Sequence, residues 1–138
     1  KKLSIYGNDW PTIDGTCIRD YIHVMDLAEA HLSSLNYLFR NDSEFLHLNI
    51  GTGKGTSVLE LISIFEESNN CNINYEFTDR RIGDTSIVIA DNKLALSILD
   101  WEPKRGLGTM CRDGWKSVQL FKDYELNNLI NEKKLNYF

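Results

Sequence analysis

The chain has 138 residues, which suits one domain of modest size and leaves little room for a second. Its 42% apolar content is typical of a globular protein, and no apolar run reaches the roughly 18 residues of a membrane span. The formal net charge of −5 argues against general binding to nucleic acid or to a membrane surface, so neither is expected as a partner.

The three cysteines are odd in number and far apart, at Cys17, Cys71 and Cys111. This spacing predicts neither a disulfide framework nor a metal site, and the three histidines also lack a metal-binding pattern. No signal peptide is recognisable in the first residues, because Asn8 and Asp9 interrupt any apolar region. We therefore expect a reducing, cytoplasmic location and no bound metal.

The first predicted elements are a short strand at Leu3–Tyr6 and a loop over residues 7–15. β-Favouring residues then run from Thr16 to Val24, with Arg19 and Asp20 in the middle of the run. Charged side chains are rarely buried without partners. An arginine on a strand just before a helix suits an anionic ligand.

Apolar residues at three- and four-residue steps predict a helix over about 25–40, which ends near the polar cluster at 41–43. Residues 45–50 predict a compact apolar strand. The glycines of Gly51–Gly55 follow in the strand–turn–helix context of a dinucleotide-binding loop, but Thr56 stands where that motif needs glycine or alanine. The pattern favours a structural turn, with a phosphate cradle as the alternative.

Ser57 and Glu60 match a capping box, which predicts that the next helix begins there and ends at Asn69–Asn70. Alternating apolar and polar residues predict a half-buried strand over 73–77. Residues 86–90 predict one more strand.

Asp91 is predicted to cap a short helix, and residues 101–108 are predicted to form a linker. A last helix is expected from Leu107 onward. Residues 1–126 are assigned to one domain, and the Asn- and Lys-rich residues 127–138 to a polar tail that frays. Short strands with four helices indicate the α/β class.

The loop Arg80–Asp84 combines two arginines, a glycine and an acid within five residues. Arginine suits phosphate because its planar fork donates two hydrogen bonds at once. A nearby aspartate can accept from ribose hydroxyls, as in dinucleotide sites. A loop salt bridge explains the same residues equally well.

Taken together, these motifs resemble the UDP-glucose 4-epimerase family, within the extended short-chain dehydrogenases/reductases. The matching segments are Arg19–Ala28, Leu48–Gly53, Arg80–Asp84, and Trp101 with Pro103. The resemblance runs from about Leu3 to about Phe121. It implies that the chain is the C-terminal, substrate-binding region of a Rossmann-type nucleotide-sugar epimerase.

In that family the complete enzyme interconverts UDP-galactose and UDP-glucose by transient oxidation at C4, in galactose metabolism. NAD is bound by an N-terminal domain, and the base is the tyrosine of a Tyr-x-x-x-Lys motif. No tyrosine in this sequence is followed by lysine four residues later. We therefore expect no catalytic or cofactor-binding residue in this chain, and no activity from the chain alone. The complete enzyme is expected to be a cytoplasmic homodimer.

The resemblance also implies the substrate-binding residues. Arg19 and Arg81 hold the diphosphate, and Asp84 accepts from the ribose hydroxyls. Ile5 and Tyr6 line the uracil, with Tyr6 as the aromatic side chain.

Tyr21 and Val58 are weaker candidates for the wall of the site. Val88 corresponds to a position that reaches toward the sugar, where a large residue excludes N-acetylated sugars and a small one admits them. A core position for Val88 is the alternative. Two other functions stay open: a related epimerase, decarboxylase or dehydratase acting on another nucleotide sugar, and a non-enzymatic binding or assembly module from a split enzyme.

Overall fold

The computed structural model describes residues 2–41 and 45–135, without the side chains of residue 123 and residues 125–135. Within these residues four helices and five short strands confirm the predicted α/β class. The strands are β1 (Leu3–Tyr6), β2 (Ile18–Arg19), β3 (Thr56–Ser57), β4 (Tyr75–Thr78) and β5 (Ile87–Val88). The helices are α1 (Val24–Arg40), α2 (Val58–Asn69), α3 (Lys93–Ile98) and α4 (Leu107–Leu135).

The strands form two small sheets. In the first, β1 runs parallel to β4. In the second, β2 lies in the middle, antiparallel to β3 and parallel to β5. The register places Arg19 beside Thr56 on one side and Val88 on the other. Because directly paired residues of neighbouring strands point to the same face, these three side chains share one face of the sheet.

Two sets of packed helices support these sheets. Ala30 of α1 and Ala95 of α3 are fully buried together with Leu99 and Trp101. On the other side α2 packs against α4, where the rings of Phe65 and Trp115 meet edge to face at 5.7 Å. The two sheets are only two and three strands wide. Packing between the helices therefore holds the larger elements of the fold together.

The helix starts show which capping predictions are correct. Ser57 and Glu60 form the predicted capping box at α2. The prediction for α3 is confirmed only in part: the N-cap position is Asn92, but the side chain that accepts from the first N–H group of the helix, that of Lys93, is Asp91, at 3.4 Å. Asn92 is buried, and its amide donates to the Gly51 carbonyl at 2.8 Å, so the α3 start is fastened to the glycine turn.

A histidine begins α1. The Nδ1 atom of His23 accepts from the Met25 N–H at 3.0 Å, and its Nε2 atom lies 3.1 Å from an Asp113 carboxylate oxygen on α4. An accepting Nδ1 carries no proton, so the ring is held in one tautomer by both helices. The absence of a metal pattern agrees with this structural role for His23.

The predicted strand over 45–50 is wrong. Leu48 and Ile50 pack against the Ala30–Ala95 core, which explains the apolar alternation. No described strand pairs with the segment, however, and an extended segment without a ladder partner is not a strand. The half-buried prediction for 73–77 is confirmed at Ile73, which is partly buried, and wrong within β4, whose four residues are all exposed.

The predicted linker at 101–108 is fastened to α1. The Asp26 carboxylate accepts from the backbone N–H groups of Lys104 and Arg105 at 3.2 and 2.9 Å, and also from the Arg105 guanidinium. Arg105 donates to Glu29 as well, at 2.8 Å. The segment that precedes α4 therefore has a defined position.

The predicted tail begins inside a helix. The backbone of α4 continues to Leu135, past the predicted boundary between residues 126 and 127. The fraying of this tail stays a prediction. Residues 136–138 and positions 42 and 43 of the predicted polar cluster lie outside the described residues.

Candidate functional site

The site is built around Arg19 on the central strand β2. Its guanidinium donates to the carbonyl of Ile18 at 2.8 Å, and its Nη2 atom lies 3.8 Å from an Asp84 carboxylate oxygen. The Arg19 side chain is partly covered, which restricts its motion more than full exposure would. A strand thus presents one arginine at a defined position.

A turn brings the second arginine to the same carboxylate. The Asp84 N–H donates to the Arg81 carbonyl at 3.2 Å, and Gly83 adopts φ +89°, a value that favours glycine at this position of a tight turn. The Arg81 Nε atom is then 3.1 Å from the other Asp84 oxygen. Asp84 therefore bridges Arg19 and Arg81.

An aromatic ring completes this group. The guanidinium carbon of Arg81 lies 4.4 Å from the ring centroid of Tyr6, whose side chain is exposed at the end of β1. We call Arg19, Arg81, Asp84 and Tyr6 the diarginine cluster. Two cations around one anion leave a net positive charge, and guanidinium N–H donors suit phosphate oxygens. The exposed ring offers a flat apolar surface beside them.

The two consecutive arginines have different partners. Arg80 donates to the Asp9 carboxylate at 2.7 Å and stacks over the ring of Trp10 at 4.0 Å. The hydrogen bond from Arg80 lowers the pKa of Asp9. Arg80 therefore fastens the loop over residues 7–15, and only Arg81 enters the diarginine cluster.

Val88 and Tyr21 lie next to this cluster in different ways. Val88 is 52% exposed and is the β5 partner of Arg19, so the core alternative for Val88 is wrong. Tyr21 lines a separate pocket together with Thr56, the β3 partner of Arg19. Burial raises the pKa of Tyr21, although the charge of Arg19 acts in the opposite direction.

Ile5 and Val58 do not join the cluster through their side chains. Ile5 is only 2% exposed and lies on the opposite face of β1 from Tyr6, so its side chain does not reach the surface that Tyr6 presents. A place for Ile5 beside the uracil stays a prediction. The Val58 N–H donates to the Cys17 carbonyl at 3.2 Å and to Thr16 Oγ1 at 3.1 Å. No contact in the described part of the chain connects Val58 with the diarginine cluster.

The glycine turn is structural. The Asp20 carboxylate accepts from the N–H groups of Thr52 and Gly53, each at 2.9 Å, and from that of Ala90 at 3.3 Å. A Cβ atom on Gly51 would lie 2.6 Å from both an Asp20 oxygen and the Ala90 side chain, which explains the glycine. These donors are already used, so the turn is not a phosphate cradle.

Sequence reasoning missed Thr56 as a neighbour of Arg19. The strand β3 is two residues long and lies directly before a capping box, so it has no alternation of its own. Only pairing with β2 identifies it, and nothing in the local sequence indicates that pairing.

The described residues provide neither a metal-binding cluster nor a membrane-spanning helix. No group of three or more histidine, cysteine, aspartate and glutamate side chains is placed to hold a metal ion there. In that part of the chain, no helix combines the length and apolar character that crossing a membrane requires.

The chain is similar in sequence to UDP-glucose 4-epimerases, although no family model matches it. It is 48% identical over 116 residues to UDP-glucose 4-epimerase GEPI42 of Cyamopsis tetragonoloba and 47% identical to UDP-glucose 4-epimerase of Bacillus subtilis. These alignments cover 83% and 84% of this chain, but 33% and 34% of the two relatives. The chain thus spans about a third of the length of the curated relatives that it matches.

Solved structures give the same result. The UDP-glucose 4-epimerase from Stenotrophomonas maltophila, with bound NAD and formylated UDP-arabinopyranose, matches with a TM-score of 0.85 and 42% identity. The match covers 89% of this chain and 36% of that one. The enzyme from Bifidobacterium longum, in complex with NAD+ and UDP, matches with a TM-score of 0.74 and 38% identity, over 80% of this chain and 32% of that one.

The fold is therefore that of part of a Rossmann-type epimerase, as expected from the motifs. Within that class, the chain is a homologue of the UDP-glucose 4-epimerases and corresponds to the C-terminal third of their chains.

Proposed function

We propose that this chain is the substrate-binding part of a UDP-glucose 4-epimerase, which interconverts UDP-galactose and UDP-glucose by transient oxidation at C4. The observation that carries the proposal is the convergence of Arg19 and Arg81 on Asp84, beside the exposed ring of Tyr6. The identity of 47% or more to UDP-glucose 4-epimerases supports the same choice.

Each member of the cluster has a role in this proposal. Arg19 and Arg81 bind the diphosphate through charge-assisted hydrogen bonds. The hydrogen bond from Arg81 to Asp84 orients the Arg81 guanidinium before the ligand binds. Asp84 keeps free acceptor positions for the ribose hydroxyls. Tyr6 presents its ring to the uracil, and Val88 borders the sugar from the neighbouring strand.

The residues of this chain do not fit NAD. In the glycine turn over residues 51–55 the N–H groups of Thr52 and Gly53 donate to Asp20, and no Tyr-x-x-x-Lys pair is present in the sequence. In the proposed enzyme NAD and the base belong to an N-terminal domain, and NAD supplies the hydride acceptor. We also propose that the complete enzyme is a cytoplasmic homodimer of galactose metabolism. This part of the proposal rests on the family resemblance.

The proposal is tested by titrating the chain with UDP, using calorimetry on Arg81→Ala and Arg80→Ala. We expect Arg81→Ala to weaken UDP binding by roughly ten- to a hundredfold, because one charge-assisted hydrogen bond contributes about 1.5–3 kcal/mol. Arg81→Lys should recover only part of the loss, since lysine lacks the planar fork.

Arg80→Ala is the matched control. It removes the same charge one residue away, but Arg80 is bound to Asp9 and Trp10. Its UDP affinity should stay within about twofold of the original chain. Equal losses in both variants would indicate a nonspecific charge effect, and an unchanged affinity in Arg81→Ala would contradict the proposed diphosphate site.

A further inference from the structure

A second pocket opens on the other side of Arg19 from Asp84. One wall comes from Tyr21, Thr52, Lys54 and Thr56, and the other from residues 103–107 before and at the start of α4. Its volume is about 230 Å³. Thr56 connects the two sites, because it lines this pocket and is also the β3 partner of Arg19.

The charged side chains among the residues that line this pocket are Lys54, Lys104 and Arg105. The charge of Arg105 is offset by Asp26 and Glu29. Asp20 lies directly behind the wall, where its carboxylate accepts from the N–H groups of Thr52 and Gly53. Neither lysine has an ion-pair partner in residues 2–41 and 45–135, so these two charges are available to a ligand.

Neutral hydrogen-bond donors accompany the lysines. Tyr21 and Thr56 also line the pocket, and the hydroxyl group of neither has a hydrogen-bond partner among the described residues. Both residues are only partly exposed, so these groups lie in a less solvated setting than a surface lysine. Ammonium and hydroxyl donors suit an oxyanion.

We propose that this pocket is a second oxyanion site, which binds a free phosphate ion through Lys54, Lys104 and the Thr56 hydroxyl. This proposal does not depend on the function proposed above.

The first test titrates the full chain with inorganic phosphate and follows backbone amide shifts by NMR. Phosphate also suits the diarginine cluster, so the readout has to be resolved by site. The amides of residues 52–56 and 104–107 should shift together. The Lys54→Gln, Lys104→Gln double variant should weaken this response at least about tenfold, because two charge-assisted contacts are lost.

Two control variants accompany this titration. Lys93→Gln, Lys116→Gln removes the same charge outside the pocket, and Arg81→Ala removes a ligand of the diarginine cluster. Neither should change the affinity reported by residues 52–56 by more than about twofold. The amide spectrum also verifies that each variant is folded. If phosphate did not shift the amides of residues 52–56, the pocket would not be a phosphate site. The same would follow if Lys54→Gln, Lys104→Gln and Lys93→Gln, Lys116→Gln gave equal responses.

The second test compares UDP-glucuronate with UDP-glucose by calorimetry. Equal binding of the two is expected, because the sugar lies beside Val88 in the function proposed above, on the opposite side of Arg19 from this pocket. Tighter binding of UDP-glucuronate that disappears in Lys54→Gln, Lys104→Gln would overturn the assignment of the pocket to free phosphate. Absence of the phosphate response at residues 52–56 overturns the proposal whether or not UDP binds.

Discussion

Two ion-pair groups in this chain combine arginine with carboxylate side chains but differ in net charge and in burial. In one, Arg105 lies between Asp26 and Glu29. In the other, Asp84 lies between Arg19 and Arg81. The Asp26 side chain is 0% exposed, whereas the Asp84 side chain is 23% exposed. The first group carries a net negative charge and the second a net positive charge.

The number of bonds that each carboxylate accepts explains their different roles. Burial acts to raise the pKa of Asp26, but hydrogen bonds from the Arg105 N–H and guanidinium and from the Lys104 N–H outweigh it, so the pKa is lowered. Asp26 is thus saturated by donors from the protein. Asp84 accepts one hydrogen bond, from Arg81, and has Arg19 at a longer distance. A saturated, buried group stabilises the fold, while an unsaturated, open one keeps capacity for a ligand.

The largest expected difference between the two groups is in stability. Asp26→Ala should lower the free energy of unfolding by about 2–4 kcal/mol, because it leaves backbone and guanidinium donors without partners next to the core. Asp84→Ala should lower it by less than about 1 kcal/mol, because its ion pairs are partly solvent-exposed. Urea unfolding of both variants measures this difference.

Asp79→Ala is a suitable control for this comparison, since the Asp79 side chain is exposed and has no hydrogen-bond or ion-pair partner among the described residues. Similar losses of stability for Asp26→Ala and Asp84→Ala would contradict the distinction between a structural and a ligand-binding group.

A smaller effect is expected from Val88→Tyr on the choice of sugar. Val88 is exposed beside Arg19, so a tyrosine there would fill space that an acetamido group needs, at a cost of about 1–3 kcal/mol. We predict that the original chain tolerates N-acetylated sugars and that Val88→Tyr removes this tolerance. The measurement is the ratio of kcat/KM for UDP-galactose and UDP-N-acetylgalactosamine.

This measurement needs a complete enzyme. The chain can replace the corresponding third of the Bacillus subtilis relative, to which it is 47% identical over 116 residues. The chain alone is the control and should show no turnover, because it lacks the base and the residues for NAD. Thr85→Tyr, in the loop before β5, controls for added volume. A ratio that does not move in Val88→Tyr would exclude position 88 as a determinant of specificity.

The smallest effect is expected from mild acidification. For Asp14, Asp20 and Asp26, burial acts to raise the pKa, but accepted hydrogen bonds outweigh it and lower the pKa. A carboxyl group with a lowered pKa in the folded state stabilises the fold above its unfolded pKa, about 3.9, and this contribution is lost as the pH falls through the folded pKa. Stability should therefore change little from pH 7 to about 5 and fall below about pH 4.

Unfolding at a series of pH values tests this expectation. Asp26→Asn should be less stable than the original chain at pH 7. The difference should begin to shrink below about pH 4, where Asp26 is protonated in the unfolded state, and should be lost as the pH falls through the lowered folded-state pKa of Asp26. Stability that rises between pH 5 and pH 3 would contradict the assignment of these carboxylates as acceptors of structural hydrogen bonds.

Local patterns in the sequence were sufficient for the helices. The apolar spacing after Val24 and the capping box at Ser57 depend on residues within one or two turns, so they can be recognised without the fold. The motif at Arg80–Asp84 is also local, because a turn joins Arg81 to Asp84, but by itself it left an anion site and a loop salt bridge equally open. The family resemblance added the likeness to epimerases, which the comparisons confirm.

The tertiary structure alone decided which distant groups meet. Arg80 and Arg81 are chemically equal in the sequence, and only the positions of Asp9 and Asp84 separate their roles. The apolar residues 45–50 looked like a strand, but strand formation needs a partner edge that local sequence does not specify. Thr56 meets Arg19 because β3 pairs with β2, and Asp26 is saturated because the segment before α4 folds back onto α1. Such contacts depend on chain segments far apart in sequence, so no local pattern contains them.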